Sequence, residues 1–177
     1  MILTGPEIIS AHRSDRIVIE PFCIEQVEPN SYAFRLENKL LIDSGEDFDA
    51  AYPTRFHEVT IMPEGYLLLP KRLYLGLTIE RTGSPYYAQM INGNRSLGAL
   101  GIWIHVSAPL AHSGSNIRWT LEIRVVKPVV IYPGMIFGKI IFIEMLGDPL
   151  NYTDSGQCKY AENDVRRSHI FEEILEW

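Results

Sequence analysis

Basic residues are scarce in this chain. It holds 16 Lys and Arg against 22 Asp and Glu, a formal net charge of −6. That balance argues against polymeric nucleic acid as a partner, since such binding rests on neutralising many phosphates. A free nucleotide needs only a few donors, with a divalent cation supplying the remaining charge, and stays open. Cysteine is nearly absent. Cys23 and Cys158 stand far apart, with no metal-ligand spacing and no disulfide framework, so a reducing cytoplasm is expected. No apolar run approaches a membrane span, because charges or Gly/Pro interrupt each one. The opening MILTGPEIISAHRSDR lacks a basic stretch followed by a long apolar core, so no secretory signal is expected. Internal repeats and low-complexity linkers are also missing.

What is present reads as β structure. The 177 residues, 46% hydrophobic and 21% charged, suit one globular domain spanning 1–177 with a real core. Residues 1–3 and 16–20 read as short strands around a helix that starts at Thr4 or Gly5, carries Pro6 in its first turn and ends near His12. Residues 31–36 alternate as a half-buried strand, with 39–42 as a hairpin partner across Glu37-Asn38. Residues 44–57 are polar and aperiodic, a surface excursion. Strands then follow at 58–62, 66–69, 72–80, 86–91, 102–108, 119–126, 129–132 and 139–146, with Pro and Gly in the turns. Such spacing predicts an all-β sandwich or barrel. Helix is otherwise expected only as a turn at 96–100 and in the tail at 169–177.

The richest stretch is GNRSLGALGIWIHVSAPLAHSGSNIRWTLE, residues 93–122. A glycine-bounded loop carries Arg95 and Ser96. An apolar run and a Gly/Ser-rich turn lead to a strand that sets Glu122 among Trp119, Leu121 and Ile123. Alternation places Leu121 and Ile123 on one side of the sheet and Glu122 on the other. A phosphate-suited loop and a carboxylate on an apolar strand are what nucleotide chemistry needs. An ordinary turn and a solvent-facing glutamate would look the same.

Seven blocks in order resemble the dCTP deaminase family, within the dCTP deaminase/dUTPase superfamily. They are MILTGPEI, VEPNSYAFRL, GYLLLPKRLYLGLTIE, GNRSLGALGIWIHVSA, TLEI, YPGMIFGKIIF, and a tail with Tyr152 and Lys159-Tyr160. The resemblance implies a mainly β fold: a distorted jelly-roll-like β-barrel with short N- and C-terminal helical segments. It also implies a homotrimer with sites at subunit interfaces, closed by a tail of about 147–177. The family deaminates without zinc, and the His-x-Glu and Pro-Cys-x-x-Cys pattern of zinc deaminases is absent here. A glutamate, aided by a serine and an arginine, handles the protons of a water that attacks the cytosine ring. The substrate is a deoxynucleoside triphosphate, with Mg²⁺ bound to its phosphates.

By that resemblance Glu122 falls on the catalytic glutamate, and Arg95 is a second catalytic candidate. The nucleotide- and phosphate-binding positions fall on Asn94, Arg95, Ser96, Ala108, Lys139, Tyr152, Lys159 and Asn163. No residue is assigned to a metal. Departures are concentrated in the loop. Arg95 stands where the family has its catalytic serine, Ala99 where it has its arginine, and Asn94 where it has a phosphate-side arginine. A one-residue slip would align Arg95-Ser96 with the family's Arg-Ser pair. His112 occupies the position of the aspartate that positions water in dUTP-hydrolysing members, and could be a base or an exposed turn histidine. Ala33 replaces a buried structural aspartate. His105, in IWIHVSA, reads as a hydrogen-bonded core or interface histidine. Three functions follow: a dCTP deaminase-like hydrolase with its substrate altered or not, an inactive nucleotide-binding or regulatory trimer, and a dUTP pyrophosphatase-type enzyme. A scaffold with no ligand is a weaker fourth.

Overall fold

The computed structural model describes residues 1–152 and 154, and among them helix is limited to two short α-helices and a 3-10 turn at Ile24–Gln26. α1 (Gly5–Arg13) has Pro6 in its first turn, where the missing N–H costs nothing, and buries Ile8 and Ala11. After β1 (Val18–Glu20) and β2 (Val27–Glu28) come the long β3 (Ser31–Asp43), β4 (Phe56–Thr60), β5 (Tyr66–Leu68), β6 (Tyr74–Gly83) and β7 (Tyr87–Gly93). α2 (Arg95–Ala99) leads to β8 (Ile102–Trp103), β9 (Leu110–Ala111), β10 (Asn116–Val125), β11 (Val129–Ile131) and β12 (Ile136–Glu144). The N-terminal strand reduces to one bridge, Ile2 to Ile143. Among the described residues no helix is long and apolar enough to cross a membrane. The helix expected at 169–177 lies outside the described residues.

Ten strands form one sheet in the order β8-β10-β6-β3-β12-β7-β9, with β1 on β6 and both β2 and β4 on β3; β5 and β11 pair separately. The sheet curls as a half-barrel, and the architecture is mainly β as expected. The core holds Tyr32, Phe34, Leu36 and Leu40 of β3, Leu121 and Ile123 of β10, and Phe137, Ile140 and Phe142 of β12. Each such side chain contributes about 1.5–3 kcal/mol by leaving water.

Three expectations are corrected. Residues 31–36 and 39–42 are not two arms of a hairpin but one continuous strand, β3. Glu37-Asn38 holds no glycine to supply the positive φ of a two-residue turn. Instead the Asn38 carbonyl accepts from the Ile61 N–H, Glu37 pairs with Arg118 at 2.8 Å, and the strand absorbs a register shift between Leu36 and Leu40. The strand expected at 102–108 stops at Trp103. Beyond it, the N–H groups of Val106 and Ser107 point to the Glu122 carboxylate rather than to a neighbouring strand. Finally, the excursion at 44–57 is exposed as expected, yet Phe56 and His57 belong to β4 and the loop walls a cleft.

A polar knot lies under β3. Glu80 is fully buried and accepts from Arg35 Nε at 2.7 Å, from the Arg35 N–H at 2.8 Å and from Gln26 Nε2 at 2.9 Å. The hydrogen bond to Glu80 holds the Arg35 guanidinium even more firmly protonated than usual, against the opposing pull of burial. Gln26 also donates to the carbonyl of Ala33. The buried carboxylate absent at position 33 has a counterpart on β6.

Candidate active site

β10 shows strict alternation. Trp119, Leu121, Ile123 and Val125 are buried, while Thr120, Glu122 and Arg124 face outward. That face forms the floor of a cleft of about 1260 Å³, walled by residues 105–108, by the turn at 110–115, and by Gly45 to Phe48 with Thr54 and Phe56. Glu122 Oε2 accepts from the Val106 N–H at 2.7 Å and from the Ser107 N–H at 3.3 Å. One carboxylate oxygen is thereby fixed by backbone, which orients the other. A strand glutamate with only solvent around it has no such orientation.

The rim is ordered by local turns. Asp43 is buried and accepts from the Gly45 N–H at 2.9 Å and the Leu73 N–H at 2.7 Å, tying the 44–55 loop to the start of β6. On the opposite rim, Gly114 sits at φ +81°, where a Cβ would meet Asn151 Cβ at 2.9 Å. That close approach lets the tail dock. The Tyr152 N–H donates to the Ser113 carbonyl at 2.8 Å, and the Tyr152 ring stacks on His112 with centroids 5.6 Å apart.

The residues expected to form the site fall into two groups. Glu122, Ala108, Tyr152 and His112 all line the cleft. Asn94, Arg95, Ser96 and Lys139 do not. Asn94 caps α2, its Oδ1 accepting from the Leu97 N–H at 2.8 Å and its Nδ2 donating to the Ile136 carbonyl at 3.3 Å. Arg95 and Ser96 are exposed on α2, and Ala99 presents no polar group. Lys139 is committed to Glu28, with Nζ 2.7 Å from Oε2. Burial pulls Glu28 up, but the Lys139 and Ser31 hydrogen bonds and the lysine charge outweigh it and hold the carboxyl below its ordinary range. Lys159 and Asn163 lie outside the described residues.

The bonded-core reading of His105 is corrected. The Nδ1 of this histidine is buried without a hydrogen-bond partner, and the residue lines the cleft instead of sitting bonded in a core. Thr54 Oγ1 is orphaned in the same way on the facing wall. Unpaired buried groups cost about 1–3 kcal/mol each, so two of them around one cleft mark a place where a ligand can repay that cost. Among the described residues no three His, Cys, Asp or Glu side chains are arranged to hold a metal ion.

A family model described as dCTP deaminase-like matches residues 2–145. The chain belongs to the dCTP deaminase-like family. A relative from Clostridium acetobutylicum described as "dCTP deaminase, dUMP-forming" is 40% identical over 176 residues, covering 99% of both chains. A "dCTP deaminase" of Rhodopirellula baltica is 38% identical over 175 residues, 98% of this chain and 86% of the relative. Among solved structures, the 2'-deoxycytidine 5'-triphosphate deaminase of Agrobacterium tumefaciens superposes with a TM-score of 0.64 at 23% identity. That match covers 80% of this chain and 47% of the solved one, and the likeness is one of fold.

For a member of the dCTP deaminase-like family, the cleft also contains residues that motif matching passes over: Arg118, Thr120 and Arg124 on the Glu122 face, and Thr54 on the loop. The signal for the first three was the period-two polar row in NIRWTLEIRV. Nothing local marks Thr54, because a loop's contacts are set by what it packs against.

Proposed function

We propose that this member of the dCTP deaminase-like family hydrolyses a pyrimidine deoxynucleoside triphosphate, with Glu122 as its proton-transfer group. The observation that carries the reading is the Glu122 carboxylate, anchored at one oxygen by the Val106 and Ser107 N–H groups and facing a cleft large enough for a nucleotide. In this reading the free oxygen takes a proton from water as the water oxygen bonds to C4 of the cytosine ring. The C4=N3 double bond opens onto N3, which takes up that proton; the remaining hydroxyl proton then passes through Glu122 to the amino nitrogen, which leaves as ammonia as C4=O forms: dCTP and water give dUTP and ammonia. The name "dUMP-forming" carried by relatives adds a second possible step, dUTP and water to dUMP and pyrophosphate. The cation partnering the phosphates would be Mg²⁺ arriving with the nucleotide, since the described residues offer it no cage of their own.

The separation of Arg95, Ser96 and Asn94 from the cleft supports a site completed by a second copy, as in a homotrimer. Exposed Leu100, Trp103 and Val126 around α2 and β8 give that contact an apolar surface. A second reading, nucleotide binding without turnover, is favoured by Ala99, which brings no donor to a loop where the family keeps an arginine.

Incubation with each deoxynucleoside triphosphate and Mg²⁺, reading ammonia, pyrophosphate and nucleotide product, tests the proposal. Ammonia from dCTP supports deamination. Pyrophosphate from dUTP supports the second step. Binding with neither product overturns the enzyme reading in favour of the binding one.

A further inference from the structure

The cleft-facing row of β10 reads Arg118, Thr120, Glu122, Arg124, so two guanidinium groups straddle the anchored carboxylate. They are not equivalent. Arg118 is spoken for: its Nε donates to the Thr78 carbonyl at 2.7 Å and its Nη2 pairs with Glu37 at 2.8 Å. Arg124 is exposed, and although its backbone pairs with Trp103 in β8, its side chain makes no hydrogen bond or ion pair among the described residues. The other cations of the cleft are Lys71 and Arg72, which stand on the far wall at the turn before β6, and Arg72 Nη1 already donates to the Asp43 carbonyl at 3.3 Å. Arg124 is thus the uncommitted cation on the same strand face as Glu122, two residues along, or roughly 6.6 Å at the rise of a strand. At that backbone spacing on one strand face, both side chains can reach the same bound molecule.

Resting on the nucleotide reading above, we propose that Arg124 binds an acceptor oxygen of the nucleotide and so holds the reacting end beside Glu122. A guanidinium suits the task because it stays charged and offers a fixed fork of N–H donors. Two sources share this chemistry, a phosphate oxygen and a carbonyl oxygen of the base. A merely solvated strand arginine would leave ligand binding unmoved when replaced.

The test is calorimetric binding of dCTP with Mg²⁺, and of deoxycytidine without phosphates, to the wild-type protein and to R124A and R124K, with unliganded melting curves alongside. The Arg124 side chain makes no hydrogen bond or ion pair among the described residues, so the unliganded melting temperature of R124A should stay close to that of the wild type. Affinity for dCTP should fall about tenfold or more in R124A and recover in part in R124K. A loss for dCTP alone assigns the contact to phosphate, and an equal loss for deoxycytidine assigns it to the base. Wild-type binding that R124A reproduces overturns the inference and leaves the nucleotide reading standing. A wild-type protein that binds neither ligand overturns the nucleotide reading itself, and the role of Arg124 with it.

Discussion

Glu122 accepts a 2.7 Å hydrogen bond from the backbone N–H of Val106, sixteen residues earlier in the chain. This contact lies just beyond the end of β8 at Trp103 and orients a carboxylate. Val106 sits where an apolar run would continue as strand, and its N–H turns to β10 instead. The residue pair therefore defines both the wall and the floor of the cleft.

Replacing Glu122 with glutamine retains an oxygen acceptor for the Val106 N–H but removes the proton-transfer group. Turnover of the preferred nucleotide should fall about 10²–10⁴-fold while its affinity changes little. Exchanging charged for neutral hydrogen bonds should cost the fold about 1 kcal/mol. Single-turnover kinetics and a urea melt separate the two effects.

Arg35→Ala should leave the buried Glu80 carboxylate with only Gln26 and one backbone N–H. Removing one member of a buried ion pair costs roughly 3–5 kcal/mol, and the surviving donors place this case at the low end. Denaturant unfolding should show that loss. A change below about 1 kcal/mol would mean that the Arg35–Glu80 pair behaves as a surface bridge.

The Glu28–Lys139 pair gives a pH signature. Glu28 is held below 4.5, so its contribution is present above that value and is lost as acid titrates it through the lower folded value. Lys139→Met should therefore be less stable than wild type by up to about 1 kcal/mol at neutral pH, since both groups are partly exposed. The gap should stay flat down to 4.5 and close below it. Melting temperatures of the two proteins between pH 3 and pH 7 provide the comparison.

Gly114→Ala should undock the segment at 150–152. The added Cβ meets Asn151 at 2.9 Å, and φ of +81° strains any side chain there. Limited proteolysis should cut the variant faster near residues 147–154 than wild type, with the circular dichroism of the sheet unchanged. Equal cleavage rates would show that the Ser113–Tyr152 contact does not hold the tail.

Local sequence pattern sets the class of fold and the facing of residues in the regular strand segments. Pro and Gly punctuate the turns, and period-two alternation is a local property, so the β character and the outward face of Glu122 were legible in WTLEI. The short N-terminal helix was legible too, from Pro6 and the apolar spacing of Ile8 and Ala11.

Partnership was decided by tertiary structure. Residues 31–43 run as one strand because β4, β6 and β12 pair along it, and no local signal at Glu37-Asn38 records those neighbours. Lys139 goes to Glu28 across 111 residues, and Arg118 is neutralised by Glu37 while Arg124 on the same face is left open. Alternation says which way a side chain points, but what waits there is chosen by segments far away in the chain. The cleft exists because a polar loop at 44–55, a stopped strand at Trp103 and a docked Tyr152 all meet over one face of β10.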